Sequence, residues 1–299
     1  MLQNRKSNAF FLRSITARGF QRGFSLVEIA VVLVIVGLAL GAGITLLSKQ
    51  LEAKNVSDTQ ARIKESSEAI TAFASVNRRL PCPASIVSVG QEQWCPNATG
   101  ACGLPLITAP AAPPLHGRCA NPNNGFVPSR TLGLGEQGNA GVTVDAWAGS
   151  LRYAISQNIY AGPGNAPVSV NCGGTCYPFT QADGIRNAYY LNGVQLVPPA
   201  GPPVGLLRVC VTATGITATT CGPAVNQLSQ VGFIVWSTSR NGVAGGVGLD
   251  EAANLNNDVV YISHPRAEQG AANGEFDDIL LWLTNAAVID RMARAGVLP

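Results

Sequence analysis

The sequence predicts an α+β protein. A long N-terminal helix, apolar in its first half and amphipathic in its second, carries a loop-rich, disulfide-bonded antiparallel β head. Three observations predict it. No proline occurs between Phe24 and Arg79, and Ile29 to Leu47 is a 19-residue run without a charge. Beyond Arg79 the chain becomes rich in Gly and Pro, broken by short β-branched apolar runs. All eight cysteines lie in that later part, at 82, 95, 102, 119, 172, 176, 210 and 221. The expected division is a basic leader (1–23), a helix (24–79) with a membrane span at 29–47, and an exported head (80–299).

The leader holds Arg5, Lys6, Arg13, Arg18 and Arg22 and no acid. Removing five positive charges from the formal +3 leaves −2 for the remainder. The basic balance therefore belongs to the leader, which argues against a nucleic-acid partner. Positive residues before an apolar span hold the N-terminus in the cytoplasm and send the chain beyond the span to the far side. A secretory signal peptide is excluded because the apolar run is too long and no small-residue cleavage site comes after it.

The uncharged run matches the ~20 residues that a helix needs to cross a hydrocarbon core. Glu28 stands at its edge, a costly position that marks a functional carboxylate. Beyond Leu47 the pattern turns amphipathic, with Leu51, Val56, Ile63, Ile70 and Phe73 near helical spacing. Lys54/Asp58, Asp58/Arg62 and Lys64/Glu68 are i,i+4 pairs. A continuous helix over 24–79 would span about 84 Å. Gly37, Gly41 and Gly43 weaken its upper part or permit close helix packing.

The stretch RGFSLVEIAVVLVIVGLAL, Arg22 to Leu40, resembles the N-terminal signature of type IV pilins and type II secretion pseudopilins. The resemblance implies a type IV pilin-like fold. It also implies cleavage by a prepilin peptidase between Gly23 and Phe24, with N-methylation of Phe24. Glu28 would pair with the N-terminal amine of a neighbouring subunit. The implied partners are that peptidase, other pilin or pseudopilin subunits, and an inner-membrane assembly platform. The implied location is the bacterial inner membrane, single-pass with a periplasmic head, and then a periplasmic or cell-surface filament.

Arg79-Leu80-Pro81-Cys82-Pro83 stops the helix, and 82–130 reads as a long loop region pinned by cysteines. Strands are expected at 145–155, 231–237, 258–262 and 278–283, with a short amphipathic helix at 286–295. Residues 206–221 read as a hairpin turning near Thr214-Gly215, which sets Cys210 opposite Cys221 and makes them the best single pair. An even cysteine count confined to an exported region favours disulfides over zinc, for which Cys172-x3-Cys176 is the only close pair.

Nothing in the sequence argues for an enzyme. Gly133-x-Gly135-x-x-Gly138 comes after a Pro/Asn-rich loop rather than a strand, so it reads as a loop and not as a dinucleotide site. His116 and His264 read as solvated loop residues, and no nucleophile elbow or zinc motif occurs. The stretch Trp236 to Asp250, with Asp145-x-Trp147 and Phe276-Asp277-Asp278-Ile279-x-x-Trp282, resembles the C-terminal region of the major type II pseudopilin. That resemblance implies calcium, with Asn241, Asp250, Asn254, Asn257 and Asp258 as the ligand pool. Here Asn241 stands where the family has a loop Asp, and the segment before the final Trp is longer. The expected function is a structural subunit of a type IV pilus or type II pseudopilus. The alternative is a minor or tip subunit whose large head is an adhesin or substrate-binding module.

Overall fold

The structure is a computed structural model, and it describes residues 23, 25–135, 138, 140–157, 176–186, 206–222, 226–242 and 248–298. It divides into two compact units, Met1–Glu52 and Ala53–Pro299. One helix, α1 (Leu26–Asn77), contributes to both. One face of the second half of α1 is core. Thr59, Ile63, Ser66, Ser67, Ile70, Thr71 and Ala74 are buried at three- and four-residue spacing. Leu51, expected on that stripe, is exposed. Among the described residues no helix is long and apolar enough to cross a membrane. Side chains 39–40 and 42–46, within the expected span, lie outside them. Membrane insertion therefore rests on the sequence.

Arg78, in the left-handed conformation (φ 55°), ends α1 and bonds its N–H to the Ala74 carbonyl at 2.8 Å. Beyond it, β1 (Gln93–Trp94) and β2 (Ile107–Thr108) form a small antiparallel pair. The main sheet comprises β3 (Gly125–Phe126), β4 (Arg152–Ile155), β5 (Leu207–Cys210), β6 (Asn226–Ser237), β7 (Val260–Ile262) and β8 (Ile279–Thr284). Among the described residues, α2 (Ser129–Leu132), α3 (Leu249–Ala253) and α4 (Asn285–Arg294) accompany it.

The twelve-residue β6 organises the sheet. β8 pairs along one edge, while β4 and then β5 share the other. Ser156 sits at the change of partner, donating its hydroxyl to the Val231 carbonyl at 2.5 Å and accepting Leu207 N–H at 3.0 Å. The expected antiparallel head needs one correction, since β5 and β7 run parallel. The expected 206–221 hairpin is corrected as well. β5 already has β6 and β7 on its two edges, so residues 211–220 form a loop instead of a returning strand.

Alternation on β6 builds two cores. Phe233 and Val235 face Ile63 and Ile70 of α1, Tyr153, and Val288 and Met292 of α4. Ile234 and Trp236 pack on the other face with Leu207, Val209 and Tyr261. Both faces are covered, so the strand reads as one apolar run. A third cluster joins Cys210, Cys221, Ala253, Val260, Ile262 and Phe276.

Polar contacts fix α1 on the head. Arg62 was expected to pair with Asp58, but its Nη1 donates to the carbonyls of Val144 and Asp145, each at 2.8 Å. Ala146 N–H donates to the Thr59 hydroxyl at 3.1 Å, and Arg291 reaches the Thr71 hydroxyl at 3.3 Å. Disulfides join Cys82 to Cys119, Cys95 to Cys102 and Cys210 to Cys221. Cys176 is also disulfide-bonded, which removes the zinc alternative; Cys172 lies outside the described residues.

Candidate functional site

Two places carry chemistry that packing alone does not use. The first is the start of α1. Gly23 is exposed, and Phe24 lies outside the described residues. Ser25 and Glu28 form a reciprocal cap. The Ser25 hydroxyl accepts Glu28 N–H at 3.2 Å, and Glu28 Oε2 accepts Ser25 N–H at 3.4 Å. The helix thus begins two residues past the Gly23–Phe24 bond, with its acid in the first turn, where the helix dipole favours it. Leu26, Val27, Ile29, the residues from Val31 to Val36, and Leu38 are 45–84% exposed. Contiguous exposed apolar surface of that extent is rare on a free-standing soluble monomer.

The second place lies where β6 ends and β8 begins. Glu251, Asp277 and Asp278 bring carboxylate oxygens within 4.8 Å of one another. They come from α3 and from the residues just before β8, and all three are buried. Glu251 is held from three sides: Asn241 Nδ2 donates to both of its oxygens at 3.0 Å, and Asp277 N–H donates at 3.0 Å. Gly248 N–H approaches Oε2 at 3.5 Å. Asn254 Nδ2 donates to Asp278 Oδ2 at 2.7 Å. Among the described residues, both oxygens of Asp277, Oδ1 of Asp278 and Oδ1 of Asn241 are buried and have no hydrogen-bond partner.

That arrangement shifts the acids. Burial, reinforced by the charges of Glu251 and Glu275, raises Asp277 to about 6. Burial raises Asp278 to about 8, against the Asn254 hydrogen bond and with help from Glu251 and Asp277. Leaving buried polar atoms unpaired costs about 1–3 kcal/mol each, and the charges of Arg240 and Arg266 on Asp277 and of Arg152 on Asp278 offset the burial only in part. The donors are all hard oxygens, the set that suits Ca²⁺.

The expected ligand pool is redistributed. Asn241 and Asn254 are at the cluster, where their Nδ2 groups orient carboxylates. Asp250 instead accepts from Ala213 N–H at 2.5 Å and Asn273 Nδ2 at 3.0 Å. Asn257 is exposed in the left-handed conformation (φ 65°). Asp258 caps its own turn, accepting from Val260 N–H and Asn256 Nδ2, each at 2.7 Å. Glu251, Asp277 and Asp278 all lay outside the expected pool; the signals available were the place of Glu251 beside Asp250 and the adjacent acids in the Phe276-Asp277-Asp278 stretch. His264 is not a solvated loop residue. Its ring stacks on Phe276 at 3.9 Å, and Nε2 lies 3.2 Å from Asp250 Oδ2.

No curated protein and no solved structure matches the chain. Residues 18–44 match the family model of the prokaryotic N-terminal methylation motif, so the chain carries a type IV pilin-like prepilin signature.

Proposed function

We propose that the protein is a structural subunit of a type IV pilus or type II secretion pseudopilus. The observation that carries this reading is the methylation motif at 18–44, which runs into a 52-residue helix with Glu28 in its first turn. On this reading, prepilin peptidase cuts between Gly23 and Phe24 and Phe24 is N-methylated. The 29–47 segment waits in the inner membrane, with the head in the periplasm, until the assembly platform moves it into the fibre. Its apolar face then exchanges lipid for neighbouring helices. A carboxylate buried in that bundle is costly alone, and the Phe24 amine of the adjacent subunit relieves the cost. Glu28→Ala is therefore expected to leave leader cleavage intact and to lower incorporation into filaments at least tenfold. Cleavage is read by the mass of the N-terminal peptide and incorporation by sheared-filament yield. Wild-type incorporation would remove the pairing role.

Retention of Glu28 favours this over a subunit confined to the extreme tip, which has no neighbour above it. The large head, Ala53 onward, supports recognition by a minor subunit as the alternative.

A second reading is favoured by the partnerless oxygens. Glu251, Asp277, Asp278 and Asn241 would hold a calcium ion, which supplies positive charge to a buried acidic cluster and ties β8 to α3. A calcium-dependent rise in unfolding temperature tests it; no change at millimolar calcium would sink it.

A further inference from the structure

We propose that occupancy of the carboxylate cluster controls the order of the loop closed by the Cys210–Cys221 disulfide, with Asp250 as the coupling residue. The inference rests on the calcium reading. Asp250 and Glu251 are neighbours on α3, a single five-residue turn, so neither side chain moves far without the other. Glu251 faces the cluster, held by Asn241 and by Asp277 N–H. Asp250 faces the loop. Its Oδ1 accepts Ala213 N–H at 2.5 Å, and Asn273 Nδ2 donates to both of its oxygens, at 3.0 and 3.1 Å. Asn273 also donates to the Thr212 hydroxyl at 2.8 Å.

A second path runs beside the first. Phe276 precedes Asp277 and packs in the small core that contains both Cys210 and Cys221. Its ring also stacks on His264, whose Nε2 meets Asp250. The fit is tight. A Cβ on Gly248, at the head of α3, would come within 2.3 Å of the Glu275 carbonyl.

The loop itself is exposed at Thr214, Gly215 and 217–219, and its internal bonds are local ones, most of them made by the Thr212 and Thr217 hydroxyls. Thr217 N–H donates to the Thr220 carbonyl at 2.9 Å, and Thr220 N–H donates to the Thr217 hydroxyl at 3.0 Å. Ile216 N–H reaches the Ala213 carbonyl at 3.4 Å. Ala213 therefore joins the loop's first turn to Asp250. Without a cation, Glu251 is tied to the segment before β8 by the Asp277 N–H bond and to the end of β6 by Asn241, whereas a cation would add direct ligation from both sides. A bound cation fixes α3, and Asp250 then holds the hydroxyl-rich loop in one conformation.

The test uses full-length protein in detergent micelles. Calcium binding is measured calorimetrically, and hydrogen exchange of residues 211–222 is tracked with excess chelator and with saturating calcium chloride. Exchange in the loop is expected to slow about fivefold with calcium, at the lower end of typical coupling between sites. Asp250→Asn is expected to keep the calcium heat and to lose the slowing. If that variant does not fold, Asn273→Ala, which removes the clamp on Asp250, serves in its place. Calcium heat with unchanged loop exchange in the wild type overturns the coupling and leaves the cation site standing. Absence of heat overturns the cation reading and the coupling with it. Equal slowing in the variant removes Asp250 from the path.

Discussion

Two buried charged sites in the head resolve their charge in opposite ways. At the end of α1, Arg79 and Glu92 form two parallel bonds of 2.7 Å, with Arg79 over the rings of Phe73 and Trp94. Cys82 N–H adds a further donor to Glu92 at 3.1 Å. Charge there is cancelled within the chain. The Glu251, Asp277 and Asp278 cluster is similarly buried, yet Arg240, Arg266 and Arg152 act on it only as nearby charges, and among the described residues Asp277 and Asp278 keep oxygens without a hydrogen bond. Burial alone therefore does not distinguish a structural charge from a functional one. The completeness of the partners does.

The contrast can be broken from either side. Glu92→Ala leaves Arg79 buried without its carboxylate and is expected to cost about 3–5 kcal/mol in urea denaturation. Replacing both partners, Arg79→Met with Glu92→Leu, is expected to cost clearly less, because no orphan charge remains. A double variant as unstable as the single one would make the pair an asset in itself.

On the proposed calcium reading, the next largest effect at the acidic cluster is expected from the ion, about 2.7 kcal/mol at a concentration one hundred times the dissociation constant. Its pH dependence has a definite sign. In the calcium-free protein, Asp277 (about 6) and Asp278 (about 8) stand above the ordinary aspartate value of 3.8. The folded state binds these protons more tightly than the unfolded one. Their contribution is thus complete below the ordinary value and is lost as pH rises through 6 and 8. Calcium competes with the same protons, so its stabilisation is expected to grow between about pH 5 and pH 8. Asp278→Asn should flatten the calcium-free profile and abolish the calcium response. A calcium effect independent of pH would place the ion elsewhere.

The smallest effect is a reference point. Thr284 caps α4, its hydroxyl accepting Ala287 N–H at 3.1 Å. Thr284→Ala is expected to cost about 1 kcal/mol, independent of calcium.

Much of the fold was legible where one periodicity dominates. The proline-free stretch gave α1, the run at 231–237 gave the second half of β6, and the tail gave α4. The buried stripe of α1 was harder to read, because Thr59, Ser66, Ser67 and Thr71 are polar by type. Small hydroxyls can enter a core when the helix satisfies them, as Thr71 does by donating to the Ser67 carbonyl at 2.8 Å. The parallel β5–β7 pair lies in the register of distant segments, which no local pattern encodes. At the cluster, Asp250 and Glu251 are adjacent acids, and only the turn of α3 decides which one faces Asp277. The N-terminal signature needed no tertiary information, since its acid, its small residue and its apolar run are contiguous.

Asp145 has a mechanical consequence. Its carbonyl is gripped by Arg62 of α1, while its carboxylate accepts from Trp147 N–H, Gly149 N–H and the Ser237 hydroxyl at the end of β6. A pull on the head-bound part of α1 therefore enters the sheet at a strand that is laddered along both edges. That strand is the one to which β4, β5 and β8 are all paired.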